Sequence, residues 1–188
     1  GITIWYSETA LVTKNHTYGN DEQGIGVWDS TGTVVKHNMT TDNSAGIWAE
    51  RADATEISCN KAFGNGTGVL LGPWSTGSLV KGNLARWNSF DGISAWGWAY
   101  EKPEDSIAFG NTLRHNISEG NPFDHVELAF DFGTGEVFPD PDGACRNQWF
   151  ENQFTTSWGP DGCIGEPVEL DDDDVCALDD DDDDSDSD

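Results

Sequence analysis

Short runs in which an apolar side chain alternates with a variable one recur along the chain. Each is opened by a glycine and an aliphatic: Gly1-Ile2, Gly24-Ile25, Gly46-Ile47, Gly68-Val69 and Gly92-Ile93. Such alternation marks a half-buried strand. In the unit from Gly46, residues 46–50 read as one strand, Arg51-Ala52-Asp53-Ala54 as a turn, and Thr55–Cys59 as a second strand. Asn60 opens a bend, Lys61-Ala62-Phe63 forms a third strand, and Asn65-Gly66-Thr67 turns back to Gly68. Three strands and three turns in about 22 residues make one coil of a solenoid.

Asparagine pairs with a constant internal gap punctuate these units: Asn15/Asn20, Asn38/Asn43, Asn60/Asn65, Asn83/Asn88, Asn111/Asn116 and Asn147/Asn152. Asn suits a bend because its short amide tolerates left-handed dihedrals and bonds to nearby backbone. Stacked coils bring equivalent amides about 4.8 Å apart. A structural ladder through Asn15, Asn38, Asn60, Asn83, Asn111 and Asn147 is therefore expected, with no catalytic role. Three residues before these first members stand Val12, Val35, Ile57, Val80, Ala108 and Ala144. With the aliphatic that follows each glycine they predict a continuous core. No coil buries its apolar face alone, so neighbours share stability.

The repeat resembles that of the right-handed parallel β-helix, pectate-lyase-like superfamily, including its NosD-like members, over about residues 1–155. The resemblance implies an all-β fold of about six coils of roughly 22 residues each. We take residues 1–165 as the β-helix and 166–188 as an acidic disordered tail. The fold hosts lyases, hydrolases, adhesins and non-enzymes, so it implies no single activity.

Charge narrows the field. The chain carries 35 acidic and 9 basic residues. From Glu166 onward there are fourteen acids and no Lys or Arg. Such a balance argues against nucleic-acid backbones and anionic membranes as partners. Asp171–Asp174 and Asp179–Asp184 repel themselves and are expected to be solvated. The surface is similar to that of secreted proteins of extreme halophiles, which implies an extracellular or cell-surface location. No apolar stretch is long enough to span a membrane, and no signal peptide is evident. Gly1 stands inside a coil, which leads us to expect further coils upstream.

The four cysteines are Cys59, Cys145, Cys163 and Cys176. Cys59 reads as a buried strand residue. Among the last three, Cys145–Cys163 and Cys163–Cys176 are both open pairings. Their spacing lacks the CxxC element of a zinc site. The segment from Cys145 to Ser157 resembles the C-terminal segment of secreted halophilic β-helix proteins, which implies a Cys145–Cys163 staple on the last coil. A bridge over such a loop stabilises by about 3 kcal/mol and points to an oxidising compartment.

Departures from the repeat locate candidate chemistry. The distance from each Gly to the next first Asn is 14 or 15 residues in four units and grows to 19 from Gly92 to Asn111. The next unit is longer again. Both insertions leave the scaffold at the same turn and are expected to wall a groove, with function on the loops. Glu104, Asp105, Asp124 and Glu127 are the candidate catalytic acids, since paired carboxylates serve glycoside hydrolysis. The same acid-rich loops are candidates for calcium. His16, His37 and His115 are scattered and read as structural. Trp5, Trp28 and Trp96 stand four residues after a repeat Gly, and Trp48 stands two after; both slots face outward. Trp28, Trp48, Trp74, Trp96, Trp98 and Tyr100 therefore form a candidate glycan-stacking face. Packing against loops or a partner is the competing reading.

The sequence-based expectation is a monomeric, salt-adapted surface β-helix that binds polysaccharide. A polysaccharide lyase or hydrolase is one alternative. The resemblance implies calcium-binding acids with a basic proton acceptor in the pectate-lyase branch, and His-Gly and Arg-x-Lys motifs in the polygalacturonase branch. Those two motifs are absent here. The NosD-like resemblance adds an accessory role in copper-site assembly, for which Met39 and the cysteines are the soft donors. A purely structural surface repeat is the last alternative.

Overall fold

The computed structural model describes residues 1–98, 108–130, 137–138, 145–159, 163–171 and 176. β1 (Ile2–Trp5), β2 (Leu11–Thr13) and β3 (His16–Tyr18) form the first coil. β4 (Gln23–Thr31), β5 (Val34–Lys36) and β6 (Met39–Thr41) form the second, and β7 (Ala45–Asp53), β8 (Glu56–Ser58) and β9 (Lys61–Phe63) the third. The fourth comprises β10 (Thr67–Leu71), β11 (Leu79–Lys81) and β12 (Leu84–Arg86). β13 (Asp91–Trp98), β14 (Thr112–Arg114) and β15 (Ile117–Glu119) make the fifth. The last coil holds β16 (Phe123–Phe130), β17 (Val137–Phe138), β18 (Gln148–Phe150) and β19 (Gln153–Phe154), after which β20 (Ser157–Trp158) returns beside β16.

The first strands of successive coils pair in parallel into one sheet, the second strands into another and the third strands into a third. Only β17 runs antiparallel, against β16. This is a parallel β-helix. Its register matches the expected columns: Ile2, Ile25, Ile47, Val69 and Ile93 stack in the first sheet. The third sheet turns small side chains inward, with Thr17, Thr40, Ala62, Ala85 and Ser118 in one file. The two inner columns of the first sheet end on polar residues, because His125 pairs with Ile93 and Glu127 with Ala95.

The asparagine ladders are continuous but not in the expected register. Asn15, Asn38, Asn60, Asn83, Asn116 and Asn152 form one column, each amide Nδ2 donating to the next Oδ1 at about 3.0 Å. Asn20, Asn43, Asn65, Asn88 and Asn121 form a second. Asn111 and Asn147 belong to neither. Ser78 N–H donates to Asn111 Oδ1, and Asn111 Nδ2 to Asn147 Oδ1, so they continue a third column. The apolar column beside the first ladder is correspondingly completed by Leu113 and Trp149 rather than Ala108 and Ala144. Ala108 is buried in the core nonetheless, and Ala144 lies outside the described residues.

The bends also differ from expectation. The left-handed residue is not the asparagine but the one before it: Lys14, His37, Cys59, Trp87, His115 and Glu151 have φ between 52° and 59°. The amide explains this. Asn38, Asn60 and Asn83 donate through Nδ2 to the carbonyl two residues back, closing a ring around the intervening residue and holding it there. β7 runs through Arg51 to Asp53 with Arg51 itself at φ 48°, so the expected turn at 51–54 is a kink within a strand, and the corner falls at Ala54.

Candidate functional site

The outer face of the first sheet carries the site. In β4 and β7 the inward residues Ile25, Val27, Ile47 and Ala49 leave Trp28 and Trp48 on the opposite face. Their rings lie 5.3 Å apart and are tilted by 40°. Each indole folds down over a glycine. A Cβ at Gly26 would meet Trp28 Nε1 at 2.6 Å, and one at Gly72 would meet Trp48 Nε1 at the same distance. The absence of a Cβ at Gly26 and Gly72 therefore leaves the room that the two indole Nε1 atoms occupy.

A polar network closes one side. Asp29 and Arg51 sit one coil apart on the same strand edge. Arg51 donates to Asp29 from Nε at 2.6 Å and from Nη2 at 3.2 Å, and to Glu50 from Nη1 at 2.7 Å. Trp5 Nε1 donates to Asp29 at 3.0 Å. The Arg51 hydrogen bond holds the Asp29 carboxyl below its usual range, and the pair raises Arg51 in turn. Arg51 also lies 5.9 Å over the Trp74 ring. Together Trp5, Trp28, Trp48, Asp21, Glu22 and Arg51 border an open cleft of about 640 Å³. The cleft offers apolar indole surface and, along one edge, charged groups.

The sequence placed six aromatic residues on one face, and the structure divides them. Trp28 and Trp48 face the cleft, while Trp74 stands on the following bend against Arg51. Trp96 packs edge-on against Phe90 at 6.0 Å. Trp98 ends β13, and Tyr100 lies outside the described residues. Beside Trp96, Asp91 is almost fully buried, and no hydrogen bond among the described residues reaches its carboxylate. Burial pushes its pKa up to about 7, only partly offset by nearby Ser94 and Trp96.

Of the four candidate catalytic acids, Asp124 and Glu127 lie among the described residues. Glu104 and Asp105 lie outside the described residues. Asp124 and Glu127 are 1% and 3% exposed, and they serve the fold. Asp124 accepts from Asn121 N–H and Nδ2 through one oxygen and from Thr155 and Thr156 N–H through the other. Glu127 accepts from Arg146 and Asn147 N–H and from Trp149 Nε1. Burial raises the Glu127 pKa against those three donors. Both carboxylates are therefore engaged by donors of the scaffold itself. Among the described residues, no group of three or more His, Cys, Asp or Glu is placed to hold a metal ion. His115 instead pairs with Glu151 at 2.6 Å, and His16 meets Thr41.

The sequence reading missed Asp29 and Arg51 as site residues. The signal was present: they lie 22 residues apart, one coil, directly after the aligned Trp28 and Glu50. Reading residues 51–54 as a turn concealed it. Near the C-terminal end, Cys145 and Cys163 form a disulfide with Cα atoms 5.0 Å apart. No helix among the described residues is long and apolar enough to cross a membrane, a criterion that does not address β-barrels.

The sequence model of the family described as periplasmic copper-binding protein (NosD) matches residues 1–121, the five coils that carry the ladders and the cleft. No curated protein and no solved structure matches the chain. With the match covering well over half of its length, the chain belongs to the NosD family.

Proposed function

We propose that this β-helix is an extracytoplasmic module that binds polysaccharide along the Trp28–Trp48 cleft. The observation that carries the reading is the pair of adjacent indoles, Trp28 and Trp48, packed close to Gly26 and Gly72 on the outer face beside charged groups. Pyranose rings present flat C–H faces to such indoles and hydroxyls to such an edge. Asp21, Glu22, Asp29 and Glu50 outnumber Arg51 around the cleft, so it favours neutral or amino sugars over uronates. The disulfide and the family's periplasmic description support a location outside the cytoplasm.

The test is titration of neutral, amino and uronic oligosaccharides, followed by tryptophan fluorescence and calorimetry. Neutral or amino sugars are expected to bind. Trp48→Ala should weaken binding by about tenfold or more, the equivalent of about 1.4 kcal/mol, with the fold unchanged by circular dichroism. Absence of binding across all three classes, or binding that survives loss of both Trp28 and Trp48, would sink the reading.

The family's description names copper. Among the described residues no group of three or more His, Cys, Asp or Glu is assembled, and the soft donors Met39, Cys59 and Cys176 border a different cavity, with His16 and His37, away from the Trp cleft. No copper chemistry is therefore assigned to the cleft.

A further inference from the structure

Cys59 and Cys176 are the two cysteines outside the Cys145–Cys163 disulfide. They are 117 positions apart in sequence yet border the same cavity, of about 390 Å³. Cys59 occupies a coil corner. It precedes ladder residue Asn60, has φ 54°, is 5% exposed, and donates through its N–H to Lys81 O at 3.1 Å. The equivalent corner of the next coil is Gly82, which precedes Asn83 and has φ 61°. Stacked corners lie about 4.8 Å apart. The Cys176 thiol donates to Gly82 O at 3.4 Å and so stands at the corner adjoining Cys59.

The segment leading toward Cys176 is docked on the body. Val168 N–H donates to Asn152 O at 2.9 Å, and Leu170 N–H to Gln153 Oε1 at 2.6 Å. Leu170 and Cys176 pack with Phe63 against Leu84 and Ile117. Lys14 and Lys61 border the same cavity.

We propose that Cys59 and Cys176 are a redox pair whose disulfide latches the acidic C-terminal segment to the corner of the third and fourth coils. The step is thiol–disulfide exchange with a protein or small-molecule disulfide of an oxidising compartment. Cys176, the more exposed, attacks one sulfur of the oxidant, forming a mixed disulfide and releasing the oxidant's other sulfur as a thiolate. Cys59 then attacks the Cys176 sulfur, forming the Cys59–Cys176 bond and expelling the second oxidant thiolate. The two cysteines lose two protons and two electrons, and the oxidant leaves as its reduced dithiol or two thiols. The bond encloses the fourth to sixth coils and the first disulfide in one covalent loop. It fixes Cys176 at the cavity that Lys14 and Lys61 also border.

The experiment equilibrates the full chain in glutathione buffers of graded redox poise, quenches with an alkylating agent and maps peptides without reduction. The expected result is a peptide carrying Cys59 joined to one carrying Cys176 under oxidising buffers, with both alkylated under reducing buffers and Cys145–Cys163 retained over a wider range. Cys176→Ser is the informative variant, because it spares the buried corner. It should keep the fold and the first disulfide, and it should leave Cys59 alkylatable once denatured. The proposal is overturned if both cysteines are alkylated as thiols at the most oxidising poise, or if Cys176 is found joined to Cys163. It is equally overturned if the pair retains one equivalent of copper(I) that blocks oxidation, which would make it a metal site instead.

Discussion

In the first coil the aromatic side chains stand in solvent: Trp5 is 63% exposed, Tyr6 76% and Tyr18 71%. In the last coil the corresponding bulk is turned inward. Trp149 is 5% exposed, and His125 is fully buried between the Trp149 and Phe154 rings. The hydrogen-bond ladders explain what the last coil requires. Along the ladders each Asn Oδ1 accepts from the preceding Asn, while Nδ2 donates to the next Oδ1 and, inside the stack, to a backbone carbonyl of the preceding coil. In the first coil Asn15 and Asn20 donate to Asn38 and Asn43. At the last coil the ladder needs an acceptor that brings no donors of its own. A carboxylate is acceptor-only, and Asp124 closes the second ladder while Glu127 receives the third. Two of the four acids singled out in the sequence, Asp124 and Glu127, each end a polar column.

The comparison breaks most sharply at Trp149. Replacing it with Ala removes the last member of the second-sheet core column and the donor to Glu127, and should cost about 3–5 kcal/mol in denaturant unfolding. Trp5→Ala, at the exposed end, should change stability by less than about 0.5 kcal/mol. Equal effects at the two positions would show that the ends are energetically equivalent. A smaller contrast separates the ladder interior from its first rung. Asn60 accepts from Asn38 N–H and Nδ2 and donates to Val35 O, Ser58 O and Asn83 Oδ1. Asn60→Ala leaves buried backbone groups without partners and should cost about 2–3 kcal/mol. Asn15→Ala, half-buried, should cost about 1 kcal/mol or less. Smaller again, Asp124→Asn keeps the shape but puts an NH₂ where the Asn121 or Thr155 and Thr156 donors point. A loss of about 1–2 kcal/mol is expected, and a neutral outcome would refute the terminator role.

Much of this architecture was legible in the sequence, and the point where legibility failed is instructive. The glycine–aliphatic marks placed the inner column from Ile2 to Ile93 correctly, because strand alternation and the coil period agree there. The asparagines misled after Asn88. Asn111, Asn116 and Asn121 are spaced by five residues throughout, so two overlapping pairs satisfy the same internal gap. The insertion after β13 removes the coil period that would have chosen between them, and only the hydrogen bonds assign Asn116 and Asn121 to the ladders. Composition obscured the acids in the same way. In a chain this rich in Asp and Glu, a carboxylate that ends a ladder looks no different from one that faces solvent.

The subtlest test of the difference between outer face and closed end is the response to pH, where two buried groups pull in opposite directions. His125 at the closed end has its pKa lowered from 6.5 to about 3 by burial. Below about pH 6.5 the unfolded chain takes up a proton that the folded chain refuses, so this contribution to stability is lost as pH falls toward 3. Asp91 on the outer face has its pKa raised from 3.8 to about 7. Above 3.8 the unfolded chain releases a proton that the folded chain keeps, so this contribution is lost as pH rises toward 7. Glu127, also raised by burial, adds in the same sense as Asp91. Between about pH 4 and 6.5 the His125 and Asp91 slopes oppose each other, each at about 1.4 kcal/mol per pH unit for a full proton. The native protein should show a shallow profile in urea unfolding across that range. Asp91→Asn should convert it to one that rises with pH, and His125→Leu to one that falls. If either variant keeps the shallow profile, the group it removes does not titrate across that window, and the balance between the two sites is not the source of the flat response.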